Sequence, residues 1–173
     1  MNQAKIVLTR VDNRLVHGQV GVTWTSFLDI DTIVVVDDLA IHNSIGCKLM
    51  KSVALTANKA ISFYSVDDFV KVFFESESHQ KLFLVVSSPC TVQRLVEKNI
   101  PISVVNIGNM HYQRGKVPFN RKMYVDQKEA SSINYLIDQN IDVYYQDIPG
   151  TLIEKIPHLN YEKLGQRKSE SNG

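Results

Sequence analysis

The stretch Leu82-Phe83-Leu84-Val85-Val86-Ser87-Ser88-Pro89 decides the reading of the fold. Its first five residues are apolar without interruption, the pattern of a strand buried on both faces rather than one. Ser88-Pro89 then supplies an N-cap followed by proline at the first helical position. A buried strand feeding straight into a helix is half of a β-α-β unit. Outward from it, residues 33–36 and 104–107 are almost as continuously apolar, and strands are expected at 6–9, 32–36, 60–64, 82–86, 103–107 and 141–145.

Helical periods fill the gaps. Val20, Trp24, Phe27 and Leu28 share one face, as do Ile41, Ile45, Leu49 and Val53. Val66, Phe69, Val70 and Phe73 repeat the pattern, followed by Ile133, Leu136 and Ile137. Ser65 with Asp68, and Asp126 with Glu129, read as capping pairs, and Asn99 and Asn140 as helix stops. Such alternation predicts an α/β fold: an open, mostly parallel, doubly wound sheet with helices on both faces in a single domain. Residues 110–124, with Gly115 and Pro118, break the rhythm and are expected to form a long loop or small ribbon. The domain is expected to span 1–168, and the polar tail 169–173 to fray.

Composition narrows the function. At 173 residues, 44% hydrophobic and 21% charged, the chain can bury a sizeable core. Nineteen basic against eighteen acidic residues leave a net charge of +1, which offers no global field for nucleic acid. Cys47 and Cys90 form no C-x-x-C pair, so a reduced cytoplasmic protein is expected rather than a disulfide scaffold. The N-terminus has no apolar signal core and no run reaches membrane-spanning length, so contact with a membrane is expected to go through partners.

In doubly wound sheets ligands bind outside the carboxyl ends of the strands. That rim collects residues 10–19, Asp37-Asp38, Ser87-Ser88-Pro89 and 106–111. Within Thr9-Arg10-Val11-Asp12-Asn13-Arg14-Leu15-Val16-His17-Gly18-Gln19, two arginines and an aspartate precede a histidine at a helix start. The cluster suits a histidine that handles an anion, though an ordinary helix cap would also use these residue types. His42, His79 and His158 read as surface residues, whereas His111 follows a buried strand and could reach the rim. Asp37-Asp38 could hold a divalent metal or accept a phosphoryl group, but such a pair more often forms a turn and caps a helix. H-E-x-x-H, paired-cysteine, Walker-type and G-x-G-x-x-G motifs are absent, so no metal or nucleotide cofactor is expected.

The stretch Arg10-Val11-Asp12-Asn13-Arg14-Leu15-Val16-His17-Gly18-Gln19-Val20 resembles the active-site motif of the mannose-family IIB component of the bacterial phosphoenolpyruvate-dependent sugar phosphotransferase system. The likeness runs through Val34-Val35-Val36-Asp37-Asp38, Leu84-Val85-Val86-Ser87-Ser88-Pro89 and Val105-Asn106-Ile107-Gly108-Asn109-Met110 to Val125-Asp126. It implies a relay in which His17 takes a phosphoryl group on Nδ1 from a phosphohistidine of a IIA partner. The group then passes to a sugar entering through the membrane components IIC and IID. Arg14 would grip the phosphoryl oxygens, Arg10 would add charge at longer range, and Asp12 would either orient an arginine or hold the loop through backbone hydrogen bonds. Backbone N–H groups at Gly18 and Gln19, with Ser87 and Ser88, would complete the phosphate cradle. The partner is expected to dock over Met110, His111, Tyr112, Arg114 and Lys116, which show no core period. Asn106 to Tyr112 resembles the N-acetylgalactosamine and galactosamine branch, other branches often having glycine at position 109. A homo-oligomer stays open. The competing classes are a histidine phosphatase or mutase, which would join arginine directly to histidine in R-H-G, and a non-catalytic phosphate-sensing domain.

Overall fold

The computed structural model describes residues 3–170, and their side chains through residue 166. The strands are β1 (Lys5–Val11), β2 (Thr32–Val36), β3 (Ala60–Tyr64), β4 (Lys81–Val86), β5 (Val104–Ile107), β6 (Val117–Pro118), β7 (Tyr124–Val125), β8 (Asp142–Tyr145) and β9 (Glu154–Lys155). A π-helical turn (Gln19–Trp24) runs into α1 (Thr25–Phe27), and a 3-10 turn (Ala40–His42) precedes α2 (Ser44–Thr56). The remaining helices are α3 (Val66–Glu75), α4 (Pro89–Glu97), α5 (Gln127–Asp138) and α6 (Tyr161–Glu170). All six expected strands are present; Ser103 and Ile141 fall just outside β5 and β8.

The main sheet has the order β3-β2-β4-β1-β5-β8-β9, parallel throughout except for the β8–β9 edge pair. Alternation along the central strands feeds two cores. Leu82, Leu84 and Val86 join Val34, Val36, Phe69, Phe73, Leu95, Ile133 and Leu136 on one face. Phe83 and Val85 join Ile33, Val35, Trp24, Met50 and Ala54 on the other. Because both faces of β4 are covered, its apolar run has no polar alternate, as the sequence implies.

The caps follow their residue chemistry. Ser65 Oγ accepts from Asp68 N, Ser88 caps α4 with Pro89 in its first turn, and Asp126 with Glu129 completes a reciprocal capping box. Asn99 and Asn140 close their helices at φ 63° and 60°, in the left-handed region asparagine tolerates. Residues 110–124 fold into a short ribbon, β6 against β7.

Two expected helix faces are corrected. In α2 the inward residues are Met50 and Ala54, while Ile45 and Leu49 are 70% and 65% exposed. The helix carries more apolar residues than one stripe needs, so period alone selects the wrong stripe. Val20 and Trp24 are buried as expected, but Phe27 is 68% exposed. The π-helical turn takes more residues per turn than an α-helix and rotates the next side chains out of line. Of the expected tail, residues 169–170 end α6 and 171–173 lie outside the described residues. Among the described residues no helix is long and apolar enough to cross a membrane.

Candidate active site

β1 lies between β4 and β5, so the loop after it emerges at the middle of the rim. Its first polar residue, Asp12, is fully buried and collects the donors around it. Oδ2 accepts from Arg10 Nη2, Asn109 Nδ2 and His17 Nε2, each at 3.1 Å. Oδ1 accepts from the backbone N–H of Arg14 at 3.0 Å. Burial alone would raise the Asp12 carboxyl. The hydrogen bond from His17, the Arg10 charge and the bonds from Asn109 and Arg14 outweigh it and hold the group below the usual carboxylate range.

An ionised carboxylate only accepts hydrogen bonds, so in neutral His17 the proton sits on Nε2 and the lone pair on Nδ1. Nδ1 has no hydrogen-bond partner among the described residues. The chain reaches this arrangement through Leu15, held at φ 57°. A left-handed leucine costs about 1–3 kcal/mol. Its side chain is anchored in the core with Val16 and Trp24, which holds the turn and brings His17 back over Asp12.

Arg10 lies beneath the site. Its guanidinium is fully buried, donates to Asn106 Oδ1 and to the Gln146 carbonyl, and sits 5.1 Å from the centre of the Trp24 ring. A Cβ on Gly108 would come within 2.1 Å of that guanidinium, so the glycine makes its berth. Desolvation lowers the Arg10 pKa against the opposing pull of Asp12. Arg10 therefore acts on Asp12 from beneath the site and does not itself line the cleft above it.

Above Asp12 opens a cleft of about 670 Å³ lined by Arg14, His17, Gly18, Gln19, Asn109, His111, Tyr112, Arg121, Lys122 and Tyr124. Its lining holds three fixed cations and no carboxylate. Arg14 is 47% exposed, with Nε 3.9 Å from Asp12 Oδ1. Lys122 pairs with Asp147, which raises its pKa. Gly18 has ordinary helical angles, and a Cβ there would meet nothing within 4 Å, so it leaves the cleft open rather than serving a turn.

Ser87 and Ser88 do not line the cleft. Ser87 Oγ donates to Asp37, which commits its proton, and Ser88 Oγ accepts from Cys90 N as the cap of α4. Asp37 caps Leu39 and Ala40, and Asp38 accepts from Val66 N and pairs with Arg94, which matches the turn reading. Of the expected docking residues, His111, Tyr112 and Arg114 are exposed. Met110 and Lys116 are buried, which corrects their assignment. Met110 bridges Met123 inside the core, and Lys116 forms a buried pair with Glu129 at 2.7 Å. Sequence reasoning placed Asn109 on the rim without a role and missed Arg121, Lys122 and Tyr124 as lining residues. The basic pair Arg121-Lys122 inside the irregular segment was the available signal.

A histidine held by a buried carboxylate under a cleft lined by three cations and no carboxylate is the kind of site that suits a protein handling an anionic group. Residues 6–171 match the family model described as PTS system sorbose subfamily IIB component, and the chain belongs to this family. It is 42% identical over 157 residues to the N-acetylgalactosamine-specific phosphotransferase enzyme IIB component 1 of Escherichia coli K12, covering 91% of this chain and 99% of that protein. The crystal structure of the IIB component 1 from Escherichia coli superposes with a TM-score of 0.84, covering 88% of this chain and 100% of that one. The mannose-specific EIIAB component of Escherichia coli K12 is 30% identical over 139 residues, 80% of this chain and 43% of that protein. The chain is a phosphotransferase, a phosphoryl carrier in sugar uptake, and membership favours this over a histidine phosphatase, a mutase or a phosphate sensor.

Proposed function

We propose that His17 is the phosphoryl acceptor, with Nδ1 as the attacking atom. The observation that carries this reading is the Nε2–Asp12 hydrogen bond, which leaves the lone pair on Nδ1. The Nδ1 lone pair forms a bond to phosphorus as the N–P bond of a donor phosphohistidine breaks, its electron pair returning to the donor imidazole. Such transfer passes through a loose phosphoryl group, so positioning and charge stabilisation supply most of the catalysis. Arg14 presents a planar fork to the phosphoryl oxygens, and Arg121 and Lys122 add positive charge from the ribbon side. In the second half-reaction a sugar hydroxyl attacks phosphorus and loses its proton to solvent, and the N–P bond electrons return to Nδ1.

The donor is a phosphorylated IIA protein or domain. Support comes from the EIIAB relative, whose name joins an A and a B component and of which this chain matches 43%. The acceptor is a sugar presented by IIC and IID at the inner face of the membrane, and the name of the 42% identical relative favours N-acetylgalactosamine. The donor must cover His17, and exposed His111, Tyr112 and Arg114 are its contact face. A relay partner also has to leave, so the interface is small, below about 1,200 Å². The site needs no metal or organic cofactor, because the donor is itself a phosphohistidine.

Incubation with phosphoenolpyruvate and the upstream relay proteins, followed by mass spectrometry under mild conditions, should place one acid-labile phosphate on His17 and none on a His17→Ala variant. Label persisting in His17→Ala, on His111 for example, would overturn the assignment.

A further inference from the structure

Asp12 draws its donors from two sources. Arg10, Arg14 and His17 belong to the same strand and loop as Asp12 itself. Asn109 comes from the end of β5, 97 residues away in sequence, and its Nδ2 donates to Oδ2 at 3.1 Å. The backbone carbonyl of the same residue accepts from Asn13 N at 2.8 Å. Asn109 thus grips two consecutive residues of the phosphoryl loop, one through its side chain and one through its main chain. It is nearly fully buried yet lines the floor of the cleft beside His17.

We infer that Asn109 is a positioning residue, whose amide N–H sets the Asp12 carboxylate against His17 Nε2 and thereby keeps Nδ1 unprotonated and open to phosphorus. The inference rests on His17 as acceptor and adds to it the group that fixes its tautomer. The reason is geometric. Oδ2 accepts from Arg10, Asn109 and His17, whereas Oδ1 accepts from the Arg14 backbone, so Arg10 and Asn109 together hold the oxygen that meets the imidazole. Arg10 pulls Oδ2 down toward the sheet, where its own fork is already anchored to Asn106 and Gln146. Asn109 pulls from the cleft floor at β5. With both in place the carboxylate plane has little freedom, and the imidazole must come to it. Without Asn109 the carboxylate can turn toward Arg10 and release Nε2, after which either ring nitrogen can carry the proton.

Two variants separate a donor from a packing role. Asn109→Asp keeps the shape and turns the donor into an acceptor next to Asp12. Asn109→Ala removes the group. A positioning role predicts that transfer from the phosphorylated donor falls about tenfold in Asn109→Ala, the scale seen when a ligand-orienting partner is lost. In Asn109→Asp it should fall about a hundredfold, because the repelled carboxylate misplaces the ring. The KM for the donor should stay within about twofold, since the docking face is untouched. Nitrogen-15 NMR of the His17 ring at neutral pH should show Nε2–H in the wild type and a mixture of tautomers in both variants. That readout needs no phosphoryl transfer, so it holds even if a variant is less stable, provided its spectrum is folded. Wild-type tautomer in both variants, or Asn109→Asp transferring as fast as wild type, would overturn the inference. A wild-type chain that is not labelled on His17 would instead overturn the proposed function, which keeps the two failures distinguishable.

Discussion

Asp12 and Asp37 occupy comparable places, each buried just past the carboxyl end of a parallel strand, and they differ in the donors they meet. Asp37, after β2, accepts from two backbone N–H groups and from the Ser87 hydroxyl. None of these changes its protonation near neutral pH, and the carboxylate holds a turn. Asp12, after β1, accepts from a guanidinium, an amide, a backbone N–H and an imidazole. One of those four can change its protonation and bond to phosphorus, and it faces an open cleft. A place on the rim of an α/β sheet is therefore an opportunity for chemistry, and the donor set decides whether it is taken.

The largest break in this comparison should come from exchanging each aspartate for asparagine. Asp12→Asn turns an acceptor that fixes the tautomer into an ambiguous amide, and transfer should fall about 10⁴-fold, as when the orienting aspartate of a catalytic triad is replaced. It also strands the buried Arg10 charge, at a cost of about 3–5 kcal/mol in denaturant unfolding. Asp37→Asn should cost about 1 kcal/mol as a weakened cap and leave transfer within about twofold. Equal losses of transfer in the two variants would dissolve the distinction.

Arg14 comes next, because it belongs to the same loop but carries none of the fold. Arg14→Ala should slow transfer about a hundredfold, with stability unchanged within about 0.5 kcal/mol. Arg14→Lys should recover part of the loss by restoring charge without the fork. Wild-type transfer by Arg14→Ala would remove it from the site.

Acid sharpens the contrast in stability. Asp12 has its folded-state pKa below its unfolded value, so its contribution is complete above the ordinary carboxylate range. It is lost as pH falls through that range and then through the lower folded value. Acid titration of unfolding free energy should show this loss in the wild type and a flatter profile in Asp12→Asn.

The smallest effect is expected at the cap of α4. Ser88→Ala should cost about 1 kcal/mol through the lost cap of α4, with no change in transfer. A transfer defect without a stability change would return Ser88 to the phosphate cradle.

The same contrast governs how far the sequence can be read. Strands β2 and β4 are legible because burial on both faces forces unbroken apolar runs, and the caps of α3, α4 and α5 because each needs a particular side-chain oxygen. His17 and Arg14 are legible because one short loop carries both. Asn109 is hidden, since its partner Asp12 lies 97 residues away and a buried amide looks like any asparagine in a loop. Met110 and Lys116 mislead for a related reason. Residues 110–124 have no helical or strand period, yet their ribbon packs on the core and buries a lysine against Glu129. Irregular segments do not report which of their side chains point inward. The inward stripe of α2 is set by its contacts, with Ile45 and Leu49 left outside.

Trp24 is the only tryptophan of the chain, and it lies under the Arg10 guanidinium with its indole N–H on the Asp147 carbonyl. A cation over an indole shifts its emission, and this cation is bonded to the carboxylate that holds His17. The molecule thus contains an unlabelled optical gauge three contacts below His17. Stopped-flow fluorescence should follow loading and discharge of His17 in real time, with the signal absent in His17→Ala.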